Sequence, residues 1–122
     1  MKYELHQIQF TDAEIDFINA SGRHDATDKS RLDIEMSCGR DTEQLSKFAK
    51  EAWNKNYFTH VSNIKTDRGL EGVFHLGNMN TSEAEKQIER LTRMASCSIG
   101  DIVVDPQGKK HVVAAFGFAE VQ

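Results

Sequence analysis

The sequence predicts a single α+β domain over residues 1–122. Its elements are a mixed or antiparallel sheet of five to six strands, with three to four helices packed mainly on one face and a C-terminal β-hairpin at the centre. Three observations carry that prediction. Ile102-Val103-Val104 and His111 to Phe116 are apolar runs rich in β-branched residues, joined by the turn tetrapeptide Asp105-Pro106-Gln107-Gly108. Leu45, Phe48, Ala49, Ala52 and Trp53 recur at i, i+3, i+4, i+7 and i+8, the spacing of one helical stripe. Strand-like and helix-like segments follow one another in the order β-α-β-α-β-α-α-β-β, with no internal repeat and no domain boundary.

The hairpin is the most structured stretch. Proline pre-sets φ at the second position of a β-turn, aspartate bonds the backbone from the first, and glycine takes a positive φ at the last. A type I turn closed by a bulge at Gly108 is expected. Both runs are apolar on both faces, so both faces should be covered. Phe116-Gly117-Phe118 then interrupts the strand, since a glycine there marks a bend or a close backbone approach. In a regular strand the two phenylalanines would share a face. Val121 should end the pairing.

Taken from the start, Tyr3, Leu5, Ile8 and Phe10 alternate as a strand with a slip near His6-Gln7. Thr11 with Glu14 makes a capping box, and Phe10 with Ile15 a hydrophobic staple. The helix that follows should bury Ile15, Phe17 and Ile18 and stop at Ser21-Gly22. Ser21 to Arg31 reads as a polar loop. Its Arg23, His24 and Asp25 could contact a ligand, and the plainer reading is a solvated connector. Leu32, Ile34 and Met36 alternate with polar residues, which predicts a half-exposed strand. Cys38-Gly39-Arg40 should turn the chain into a helix capped by Asp41. Trp53 continues that helix's apolar stripe, which favours a core role. Tyr57 to Lys65 reads as a strand. Leu70, Val73 and Phe74 suit a short helix that Gly72 weakens and Gly77 stops. Ser82 with Glu85 is a further capping box, opening a helix with Ala84, Ile88, Leu91 and Ala95 on one side.

Composition narrows the function classes. Hydrophobic content of 39% with a single proline excludes a disordered chain. No apolar run reaches bilayer length, and the N-terminus lacks a signal-peptide core, so no membrane partner and a cytoplasmic location are expected. The net charge of −4 leaves Lys109-Lys110, Arg90 and Arg93 as too small a basic cluster for nucleic acid. Cys38 and Cys97 read as free thiols. The five histidines, His6, His24, His60, His75 and His111, show no metal-ligand spacing such as i, i+4 on a helix, so neither metal nor cofactor is expected. No nucleophile elbow and no phosphate loop is present, which leaves no catalytic residue to name. Ser98-Ile99-Gly100-Asp101 is either a backbone concavity that could hold an anion or small ligand, or a tight turn in which Ser98 or Asp101 bonds nearby amides.

The motifs Ser98-Ile99-Gly100-Asp101-Ile102-Val103 and Val112 through Phe116-Gly117-Phe118 resemble the C-terminal signature of small uncharacterised proteins of phages, plasmids and integron cassettes, the YodL-like proteins among them. His60-Val61-Ser62-Asn63-Ile64 and Leu70 to Asn78 extend the likeness, which covers about residues 56–121. This chain has Gly77 where that family often has threonine. The resemblance implies a compact fold of mobile-element origin and transfers no catalytic residue. His75 and Asn78, within the likeness, join Ser98 and Asp101 as candidate ligand-binding residues. The expected function is a non-enzymatic binding or accessory module with a protein or small-molecule partner. The alternative is a small enzyme whose Cys/His or His/acid site forms at a subunit interface. A homodimer is expected, because a chain this size has little of its own to cover a hairpin apolar on both faces.

Overall fold

A computed structural model describes residues 1–38, 41–79 and 81–122. The predicted turn at Cys38-Gly39-Arg40 lies largely outside them, at Gly39 and Arg40. The elements are β1 (Lys2–Ile8), α1 (Asp12–Ser21), α2 (Asp28–Ser37), α3 (Thr42–Asn54), β2 (Phe58–Lys65), α4 (Gly69–Gly77), α5 (Ser82–Gln87), β3 (Ile88–Arg90), β4 (Ile102–Val104), β5 (Lys110–Val113) and β6 (Phe118–Val121). The six strands form one antiparallel sheet in the order β3-β2-β1-β4-β5-β6. The fold is α+β, as the sequence predicts. No helix among the described residues is long and apolar enough to cross a membrane.

Helices cover the sheet on both faces. Leu32 and Met36 of α2, with Leu45, Ala49 and Ala52 of α3, pack on Ile102, Val112 and Val121. Val73 of α4, flanked by Leu70 and Leu76, packs with Cys97 on Tyr3, Leu5, Val61, Ile64, Val103 and Val113. The hairpin is thus covered on both sides by its own chain, which removes the reason the sequence offered for a homodimer. Its turn is as expected: the Gly108 N–H donates to the Asp105 carbonyl and the Asp105 N–H to the Lys109 carbonyl, both at 2.9 Å, with Gly108 at φ +85°. Asp105 also accepts from the Gln107 and Lys109 amides and meets His111 Nε2 at 2.9 Å.

Four expectations need correction. Residues 32–37 are not a strand but the body of α2. Thr27 caps it, exchanging side-chain and backbone bonds with Ser30, and Leu32 and Met36 are buried four residues apart on one helical side. Apolar residues at every second position include that i, i+4 pair, so the pattern fits both periods. The helix after Asn80 is short: Thr81 rather than Ser82 caps it, and the chain turns extended at Ile88 to become β3. Ile88 is β-branched and pairs with Ile64 on β2, a contact that outweighs local propensity. α1 has its capping box and its Gly22 stop but buries nothing. Ile15 is 43% and Phe17 59% exposed, because α2, α3 and α4 already take the faces of the sheet. An ion pair from Glu14 to Lys29 ties α1 to α2.

The fourth correction concerns Phe116 and Phe118, which do not share a face. Gly117 at φ +75° breaks the strand, leaving Phe116 95% exposed while Phe118 packs on the core. A Cβ at Gly117 would meet nothing within 4 Å, so the constraint there is backbone conformation and not space. Gly117→Ala and Gly117→Val should each cost about 1–2 kcal/mol, the valine more, in urea melts. Both midpoints at the wild-type value would show that the turn tolerates another conformation.

Both edges of the sheet are short. β3 spans three residues, Ile88, Glu89 and Arg90. β6 spans four, and the Ser46 hydroxyl of α3 donates to its Glu120 carbonyl at 2.6 Å.

Candidate functional site

The sequence candidates do not converge. Asp101 Oδ2 accepts from the Ser98 N–H and from Gln7 Nε2, both at 3.0 Å, and the Asp101 N–H returns to the Ser98 carbonyl. Gln7 also exchanges bonds with the Ala95 backbone. Ser98 and Asp101 therefore make the tight turn, a buried lock between β1 and the segment before β4. Burial pushes the Asp101 carboxyl up to about 7, against the pull of the Ser98 amide and Gln7 and with the help of the Asp33 charge. His75 lies exposed on α4, beside an open cavity of about 530 Å³ with Thr66, Arg68 and Gly72. Asn78 closes α4, its Nδ2 donating to the Phe74 carbonyl at 2.8 Å.

Cys97 is 2% exposed, and burial, with the nearby Asp101 charge, pushes its thiol up to about 12. A thiol that stays protonated is a packing residue and not a nucleophile. A cavity of about 750 Å³ forms a trough between α3 and β6, lined by neither histidine nor cysteine.

A different cluster forms on the α3 side of β1 and β2. Alternation sends Tyr3 and Leu5 to the opposite core and leaves Glu4, His6 and Ile8 on this face. On β2 a bulge decides the placement. Leu5 pairs with Ser62 but His6 pairs with His60, so Val61 is the extra residue. Val61 stays in the core while His60 comes opposite His6. The two imidazoles stack with centroids 4.6 Å apart and planes 16° apart. Trp53 of α3 meets the His6 ring at 4.8 Å and Phe58 at 6.0 Å. A shallow cavity of about 220 Å³ is lined by His6, Trp53, Asn56, Phe58 and His60. Asn56 holds the left-handed conformation at φ +61°, uncommon away from glycine.

Hydrogen bonds fix the polar side of the cluster. His6 Nε2 lies 2.9 Å from Glu4 Oε1, and His60 Nε2 lies 2.9 Å from Asn63 Oδ1. Asn63 Nδ2 in turn donates to Glu89 Oε1 at 2.7 Å. Burial lowers the His6 pKa, the Glu4 hydrogen bond opposes that, and the charge of His60 adds to the lowering. Glu4, His6 and His60 thus bring a carboxylate and two imidazoles within 4.8 Å of one another. A search for helical ligand spacing misses this group. Glu4 and His6 at i, i+2 on a strand are a visible signal, whereas the partner His60 depends on a register that no local pattern carries.

No family model matches the chain, and neither a curated protein nor a solved structure matches it.

Proposed function

We propose that the protein is a non-enzymatic binding module that receives its ligand on the β1–β2 face beside Trp53. The observation that carries this reading is the ring cluster at the edge of a small cavity, in which His60 stacks on His6 and Trp53 lies against His6 at a 60° tilt. Its lining suits a flat heteroaromatic ring, which would pack against these rings while Asn56 meets its substituents. The enzyme alternative draws less support, since the buried cysteine is held protonated and lines neither the trough nor the cavity beside the rings. An accessory role in a mobile element, within the cytoplasm and without nucleic acid, belongs to the proposal on the strength of the motif resemblance and the charge balance. A homodimer would have to use surface other than the hairpin, with Ile15 and Phe17 of α1 exposed for it.

Trp53 is the sole tryptophan, so its emission reports on this face. Titration with adenosine, nicotinamide and indole should give saturable quenching by at least one of them, with shifts of the His6 and His60 ring resonances. His60→Ala should remove the response. No quenching by any of the three, or quenching unchanged in His60→Ala, would overturn the reading.

A further inference from the structure

We propose that Glu4, His6 and His60 form a binding site for one divalent transition-metal ion of the zinc type. The proposal deepens the preceding one in taking the β1–β2 face as the binding surface. The donor set is two imidazoles and one carboxylate, which suits zinc and its neighbours and not magnesium or calcium, ions that prefer all-oxygen shells. Three protein ligands leave a fourth, open position on the ion.

The geometry is close to what such an ion needs. Tetrahedral zinc with bonds of about 2.1 Å holds its donors about 3.4 Å apart. Here the donor atoms all lie within 4.8 Å of one another, and His6 Nε2 is already 2.9 Å from Glu4 Oε1. Closing the remaining gap asks for rotation of the Glu4 and His60 side chains. Glu4 is free to turn, its side chain being 45% exposed. His60 must turn out of its stack on His6, because two parallel rings cannot both aim an in-plane lone pair at one ion.

The surrounding hydrogen bonds prepare His60 for that role. Asn63 gives its amide N–H to Glu89, so its carbonyl oxygen faces His60 as an acceptor. His60 therefore carries its proton on Nε2 and presents Nδ1 as a lone pair. A ligating histidine whose other nitrogen donates to an oxygen that is itself held is the usual support of a metal site. His6 stands on a strand inside the sheet with Trp53 against its ring, which limits how far it can move. The ion would take the place of the hydrogen bond between His6 and Glu4. A purely structural network explains the same bonds, and the two accounts part company on stoichiometric binding.

The test uses chelator-treated full chain and zinc chloride in isothermal titration, with cobalt(II) absorption as a probe of coordination. One ion per chain is expected, with a tetrahedral cobalt spectrum. Glu4→Gln, at a half-exposed position that leaves the fold in place, and His60→Ala should each weaken binding at least about tenfold, and Asn63→Ala should weaken it less. His24→Ala should leave it unchanged. Absence of binding at one equivalent, or binding that persists in the His6→Ala, His60→Ala double variant, would overturn the site. Zinc binding without a response to the ring compounds sustains the metal site and removes the ring ligand. A ring response without zinc binding does the reverse.

Discussion

Asp101→Asn should gain stability relative to the wild type as pH rises from about 4 to about 7, by up to about 4 kcal/mol. The folded carboxyl titrates near 7, against an ordinary value of 3.8. A raised acid binds its proton more tightly in the folded state. Between those two pH values the folded chain keeps a proton that the unfolded chain has released, so wild-type stability falls with rising pH. The contribution is whole below about pH 4 and gone above about pH 7. A tenfold difference in proton affinity between the two states is worth about 1.4 kcal/mol, which sets the ceiling. Asparagine keeps an oxygen for the Ser98 amide and for Gln7 and has no proton to lose. Urea melts of both proteins across that range give the difference directly. A flat difference would mean that water or local rearrangement solvates Asp101.

Gly77→Ala should cost about 2–3 kcal/mol, a large effect for one methyl group. A Cβ at Gly77 would sit 2.8 Å from the Cβ of Cys97, an atom fixed to its own backbone. The Cys97 N–H also donates to the Gly77 carbonyl at 3.2 Å, so the two segments cannot separate without breaking that bond. Adding Cys97→Gly should return part of the loss, making the double variant more stable than the sum of the singles predicts. Strict additivity in chemical denaturation would show that the two positions do not touch. The sequence pattern marks Gly77 as a helix stop. Its actual constraint is close approach, as is that of Gly72, where a Cβ would collide with Thr66 Oγ1.

What is legible in the sequence is whatever is decided locally. Asp105-Pro106-Gln107-Gly108 specifies its turn by the chemistry of its own residues, and Leu45 to Trp53 specify a helix by period alone. Thr11 and Asp41 cap the helices that their residue types announce. Leu32-Ile34-Met36 mislead because their spacing serves a strand and a helix equally. Only the Thr27–Ser30 cap, which lacks the usual glutamate, marks the helix. Ile88 is placed by a strand more than twenty residues earlier in the chain. The candidate site is the least legible part. His6 and His60 are far apart in sequence, and the extra residue at Val61 decides which side chain faces His6. Ser98 and Asp101 are visible, and they form the turn and not the ligand concavity because Gln7 of β1 fills the space.

The ends of the sheet bear on how the protein behaves in crowded solution. At one end a new strand would meet Glu89 and Arg90 on a three-residue segment. At the other, the Glu120 carbonyl is already occupied by Ser46. Runaway growth by strand addition, the route to fibrils, needs a long and open backbone template. Neither end supplies one among the described residues, so strand addition at the sheet edges is a disfavoured route of assembly for this chain. Whatever assembly it enters is then governed by side chains, which evolution can tune one at a time.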